Sequence, residues 1–168
     1  MALTYVALAN TTVGSGGAAN ITFSSIPSTY TDLCILLSYR AAVSGPTDGR
    51  ISFNGSTANF SWISILGTGS SAVSANNTIN NALGQVQGTA ATASTFSSTQ
   101  IYVPNYASSN NKSFSVNYVS ENNATLAYAG MVAGLWSNTA AITSIAISLD
   151  SGNIVQHSTA TLYGIKKD

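Results

Sequence analysis

Charge is what this sequence most lacks. Of its 168 residues only 6% are charged, five basic against five acidic, where soluble domains carry about 25%. Without a basic field there is nothing to hold a phosphate backbone, so nucleic acid is not an expected partner. Without a polybasic cluster there is no electrostatic membrane anchor. Cysteine is down to one, Cys34, which cannot form an internal disulfide and sits in the apolar run Leu33–Leu37 as a small buried hydrophobe. Histidine is also down to one, His157, and proline to three. No run approaches 18 apolar residues, so no membrane-spanning helix is expected. The opening Met1-Ala2-Leu3-Thr4-Tyr5 has neither a basic segment nor a long apolar one, so no signal peptide is expected.

What is there is neutral polarity. Ser, Thr and Asn number 26, 19 and 16. Mean hydropathy is +0.21 and 45% of residues are hydrophobic, which excludes charge-driven disorder. A chain of this length can bury about 68–70% of its unfolded surface, enough for one domain with a real core. Asn-x-Ser/Thr triplets such as Asn20-Ile21-Thr22 are read as chance in so Asn-rich a chain.

Short alternating runs recur between Gly, Asn, Ser and Pro punctuation. Leu3–Leu8, Asn20–Ser24, Asp32–Tyr39, Ile51–Phe53, Trp62–Leu66, Gln100–Val103, Lys112–Val119, Leu126–Trp136, Ile142–Leu149 and Thr159–Ile165 read as strands. Asn54-Gly55 is a strong hairpin signal. Gly67–Asn77 is small and polar and reads as a long surface loop, while Asn80–Gln87 reads as a strand or a helical turn. Nowhere is there a convincing 3.6-residue amphipathic period. Nine to eleven strands at hairpin spacing predict an all-β, single-domain, two-sheet antiparallel sandwich, jelly-roll-like. Within it, residues 1–19 are an N-terminal strand or arm with a Gly/Ser loop, and residues 20–168 the sandwich itself. Met1–Leu8 reads equally as an assembly arm or as an ordinary edge strand.

Catalytic constellations are not apparent. A Ser-His-Asp triad would have to use His157, and no G-x-S-x-G elbow is present. The acids Asp32, Asp48, Glu121, Asp150 and Asp168 read as turn and strand-end residues rather than facing pairs for glycoside hydrolysis. One His and one Cys lack zinc spacing, and Gly14-Ser15-Gly16-Gly17 lacks the Lys-Ser/Thr and helix of a phosphate loop. The expectation is therefore no enzyme, no catalytic residues, no metal and no cofactor. Tyr5, Tyr39, Tyr118 and Tyr163 fall inside strands. Tyr30 and Tyr106 stand beside turns and are the better candidates for exposed contacts. With Leu3, Tyr5 and Val6 they make up the candidate assembly contacts. So few lysines leave strand edges poorly guarded, which suits surfaces that meet other copies.

Thr11–Ala19 followed by Ile21-Thr22-Phe23-Ser24-Ser25-Ile26-Pro27-Ser28-Thr29-Tyr30-Thr31-Asp32-Leu33 resembles a family of tailed-bacteriophage virion structural proteins. So do Ser38-Tyr39-Arg40, Ile51-Ser52-Phe53-Asn54-Gly55, Ala140–Ile145 and Ser158–Ile165. The resemblance runs in order over nearly the whole chain and implies a β-rich, non-enzymatic particle component made in the host bacterial cytoplasm and located in the virion. It implies a glycine near His157, where this sequence departs. Two roles follow from it. One is a capsid decoration or cement protein, partnered by the major capsid protein and by copies of itself as a homotrimer. The alternative is a tail fibre or tail-tip component that binds a host surface glycan or protein.

Overall fold

The structure, a computed structural model, describes residues 4–77, 81–122 and 127–166. Every regular element among them is a β-strand. An eight-stranded antiparallel sheet has the order β1 (Thr4–Thr12), β12 (Thr159–Lys166), β3 (Asp32–Tyr39), β8 (Ser97–Val103), β9 (Lys112–Val119), β10 (Ala129–Trp136), β5 (Phe60–Gly67) and β6 (Ala72–Asn77). A four-stranded sheet, β2 (Asn20–Phe23), β11 (Ile145–Leu149), β4 (Thr47–Phe53) and β7 (Ala82–Val86), packs on one face of it. The two-sheet sandwich read from the sequence is the observed fold, divided eight and four, with twelve strands.

The period-two pattern is the cause. In β9, Phe114, Val116 and Tyr118 are buried while Ser113, Ser115 and Asn117 are exposed. In β11, Ile145, Ile147 and Leu149 face inward. One continuous core joins both sheets, centred on Phe53, Phe60, Phe114 and Trp136. The Phe53 ring lies 5.5–5.7 Å from the other three, edge-on to Phe114 and Trp136. Each such pair adds about 0.5–1.5 kcal/mol beyond the area it buries.

Two expectations change. Gly67–Asn77, expected to be a loop, contains β6, whose residues are nearly all exposed. A strand with no buried face shows no alternation to detect. Asn54 and Gly55 do form a two-residue turn, both at positive φ (52° and 75°), closed by Phe53 and Ser56. The strands on either side, however, belong to different sheets, so the turn is a crossing and not the end of a hairpin. Thr4–Thr12, within the segment that reads equally as an arm or an edge strand, pairs with β12 over its whole length. The loop behind it is held as well, since Val13 is buried, bonded to Ser158 and His157, and Ala18 bridges to Ile154.

The two sheets differ in width. β7, at one edge of the small sheet, lies against β9 and β10. Strands β5 and β6 project past it. There Trp62, Ser64 and Leu66 are only half-buried, although they lie on the face that elsewhere forms the core.

Candidate functional site

The titratable groups come first, because chemistry would need them. Asp48 and Asp150, expected in separate turns, are brought together by Arg50. The Arg50 Nη2 atom lies 2.8 Å from Asp150 and 3.7 Å from Asp48. Gln85 also donates to Asp48. Burial raises the Asp48 carboxyl above its ordinary range, and Arg50 opposes that shift. Asp48, Trp62, Gln85 and Tyr118 line a narrow cleft of about 140 Å³ between β7 and the projecting β5–β6. Asp32 is buried and accepts from the Tyr102 hydroxyl at 2.7 Å and the Asn105 amide at 2.8 Å. Asp32 thus acts as a brace between strands. Among the described residues, no three His, Cys, Asp or Glu side chains are grouped so as to hold a metal ion.

Two other cations, Arg40 and Lys112, serve the backbone. Arg40 is buried, and its guanidinium donates to the carbonyls of Thr92 (2.8 Å), Thr95 (3.1 Å), Thr89 (3.3 Å) and Ala91 (2.9 Å). Lys112 is also buried. It donates to Ser108 at 2.8 Å, to Asn110 and to Thr139, and burial lowers its ammonium's pKa. His157 is exposed at φ 70°, a left-handed conformation that glycine adopts without strain. That conformation gives a physical reason for a glycine there.

Of the candidate assembly contacts, Leu3 lies outside the described residues. Tyr5 is exposed on β1 and meets the Tyr163 ring edge-on at 6.1 Å, while Val6 is half-buried. Tyr30 is half-buried, packed over Gly164 with the Lys166 ammonium 5.6 Å from its ring centre. Tyr106, expected to be exposed, is completely buried, and its hydroxyl donates to the Pro27 carbonyl. The turn beside it folds inward, so a position next to a turn did not mean access to solvent.

An apolar surface with no role so far lies elsewhere, on the outer face of β9, β10, β5 and β6. Register places its side chains in rows across the strands: Val119, Ala129, Gly67, Ala72; then Asn117, Met131, Ile65, Ser74; then Ser115, Ala133, Ile63, Asn76. Ile63, Ile65, Val119 and Met131 are each 50–60% exposed. Isolated apolar residues on a surface are ordinary, but a contiguous set marks an interaction site. A groove of about 660 Å³ runs along this face, lined by Gly67, Ala72 and Ala129 between Val119 on one side and Ile65 and Met131 on the other. No charged residue stands in the sequence between Arg50 and Lys112, so β5 and β6 contribute none. Sequence reasoning missed this face. An apolar run such as Trp62–Leu66 reads as buried on both sides, and nothing in it reports that the second sheet packs on one face alone.

No family model matches the chain, and no curated protein matches it. A solved chain described as "Structure of infectious bursal disease virus Gt strain" is 16% identical, with a TM-score of 0.21, over 99% of this chain and 41% of that one. This chain therefore spans less than half the length of that one, and a likeness so low carries no argument.

Proposed function

We propose that this chain is a non-enzymatic structural protein of a tailed-phage particle, a capsid decoration protein that bridges neighbouring shell subunits. The observation that carries the reading is the uncharged apolar outer face of β9–β10–β5–β6, a surface built for contact with protein rather than for chemistry on a substrate. The sequence resemblance supports the setting. A protein that binds only the assembled lattice stabilises it by mass action, by about 2.7 kcal/mol per site at a hundredfold excess over Kd.

The test is binding of the purified protein to undecorated shells, with electron microscopy to locate it. Ile65→Asp with Met131→Asp should abolish occupancy while leaving the melting temperature within a few degrees, because both side chains point to solvent. Raising salt from about 0.05 M to about 0.5 M should leave occupancy nearly unchanged, since screening acts on charges. Density confined to the tail, or a steep loss of binding with salt, would overturn the reading.

A further inference from the structure

We propose that β6 pairs with β6 of a second copy of this chain, antiparallel about a twofold axis, joining two large sheets into one. A free sheet edge is a row of unpaired N–H and C=O groups, and folded proteins protect such edges with short strands, bulges, charges or proline. Three of the four edges here are protected. β2 is four residues long. β1 shifts register between Ala7 and Ala9. β7 is interrupted opposite Gly49–Arg50, with its own Gly84 at φ 97°. β6 has no such protection: it pairs with β5 in unbroken register over six residues, AVSANN, with no charge and no proline. Its connection to β5 is firm, since Thr68 and Ser71 exchange backbone and side-chain hydrogen bonds across the turn.

Backbone groups in a row call for another strand, and the absence of charge argues for a copy of this one. A twofold axis sets a patch against itself, so any charge near the axis meets its own kind. From Phe60 to Asn77 there is none. Side-chain alternation limits the register, because a one-residue slip would put outer residues opposite inner ones. With Ser74 on the axis, Val73 stands opposite Ala75 of the second copy on the inner side. With Ala75 on the axis, Val73 would instead meet Asn77, so the first register buries more apolar surface. Pairing leaves the outer faces of the two copies side by side, a doubled apolar surface for whatever that face binds. One six-residue edge is small beside a standard interface of about 1,600 Å², so the dimer should be concentration-dependent.

Sedimentation equilibrium on the free protein, from about 10 µM to about 500 µM, tests this without shells. The wild type should shift from monomer to dimer over that range. Ser74→Lys and Ser74→Glu should each stay monomeric with unchanged circular dichroism, and their equimolar mixture should recover dimers. Val73→Lys serves as a second charged variant should Ser74→Lys fail to fold. A wild type that stays monomeric, an oligomer of any order that survives Ser74→Lys, or a mixture that stays monomeric would each overturn the pairing. A monomer that still occupies shells would overturn the pairing and leave the decoration reading standing.

Discussion

Glycines placed against aromatic rings set tight local tolerances. Gly134 pairs across the strands with Phe114, and a Cβ added there would stand 2.1 Å from the ring. Phe114 cannot give way, because Phe53 and Phe60 pack against it. Gly134→Ala should therefore cost about 1–3 kcal/mol by overpacking, or roughly 2–4 °C of melting temperature per kcal/mol. At Gly67 the nearest atom to an added Cβ is 3.7 Å away, an ordinary contact, so Gly67→Ala should leave the melting temperature within about 1–2 °C. Thermal denaturation of the two variants side by side decides the point, and equal shifts would refute it. The sequence placed Gly134 in a strand and Gly67 at the start of a loop, and in neither case could it show whether the glycine faces an aromatic ring, because that depends on register.

At the level of elements, the 89–95 segment is tied to the rest of the chain by Arg40, together with bonds from Thr89 to Val43, Ala90 to Ser44 and Thr92 to Asn122. Arg40 follows β3 and reaches four carbonyls of that segment, about fifty residues away in sequence. The guanidinium's planar set of five donors suits this role, which methionine cannot fill. Arg40→Met should lower stability by about 2–3 kcal/mol, in the range of losing charge-assisted hydrogen bonds. It should also open a new cleavage site between residues 88 and 96 under limited proteolysis, mapped by mass spectrometry. Unchanged fragments would show that the bonds to Val43, Ser44 and Asn122 hold the segment without Arg40. The strands themselves were legible where one face is buried, as in β9. β6 was not, because both its faces meet solvent and alternation has nothing to record. Asn54-Gly55 marked a turn correctly, yet whether the next strand pairs with the last or crosses to the other sheet depends on packing.

For the molecule as a whole, alkaline pH is the vulnerable side. The hydrogen bond to Asp32 is the largest cause that pushes the Tyr102 hydroxyl up to about 12, and burial raises Tyr39 and Tyr118 as well. Between pH 10 and about 12 the folded protein keeps the Tyr102 proton, while the unfolded chain loses it, and the raised Tyr39 and Tyr118 act in the same direction. Unfolding then releases protons, so stability is full below pH 10 and declines as pH rises through that window. Tyr102→Phe removes one of the groups and should flatten the fall in melting temperature over that range. An unchanged slope would mean that the Tyr102–Asp32 bond does not form in solution.

The sequence by itself determined the fold class. Alternating side chains, turn residues and the lack of helical periodicity are local properties, and each strand carries them without reference to its neighbours. It also determined the neutral character of the surface, since composition admits so few charges. The tertiary structure alone decided which neutral surface is free. The small sheet packs on one face of the large one, so Ile63, Ile65, Val119 and Met131 on the other face stand exposed, while on the inner face Trp62 and Leu66, past the edge of the small sheet, are only half-buried. Which face a second sheet covers, and how far it reaches, depends on strands brought together from the whole chain, and no local stretch of sequence encodes it.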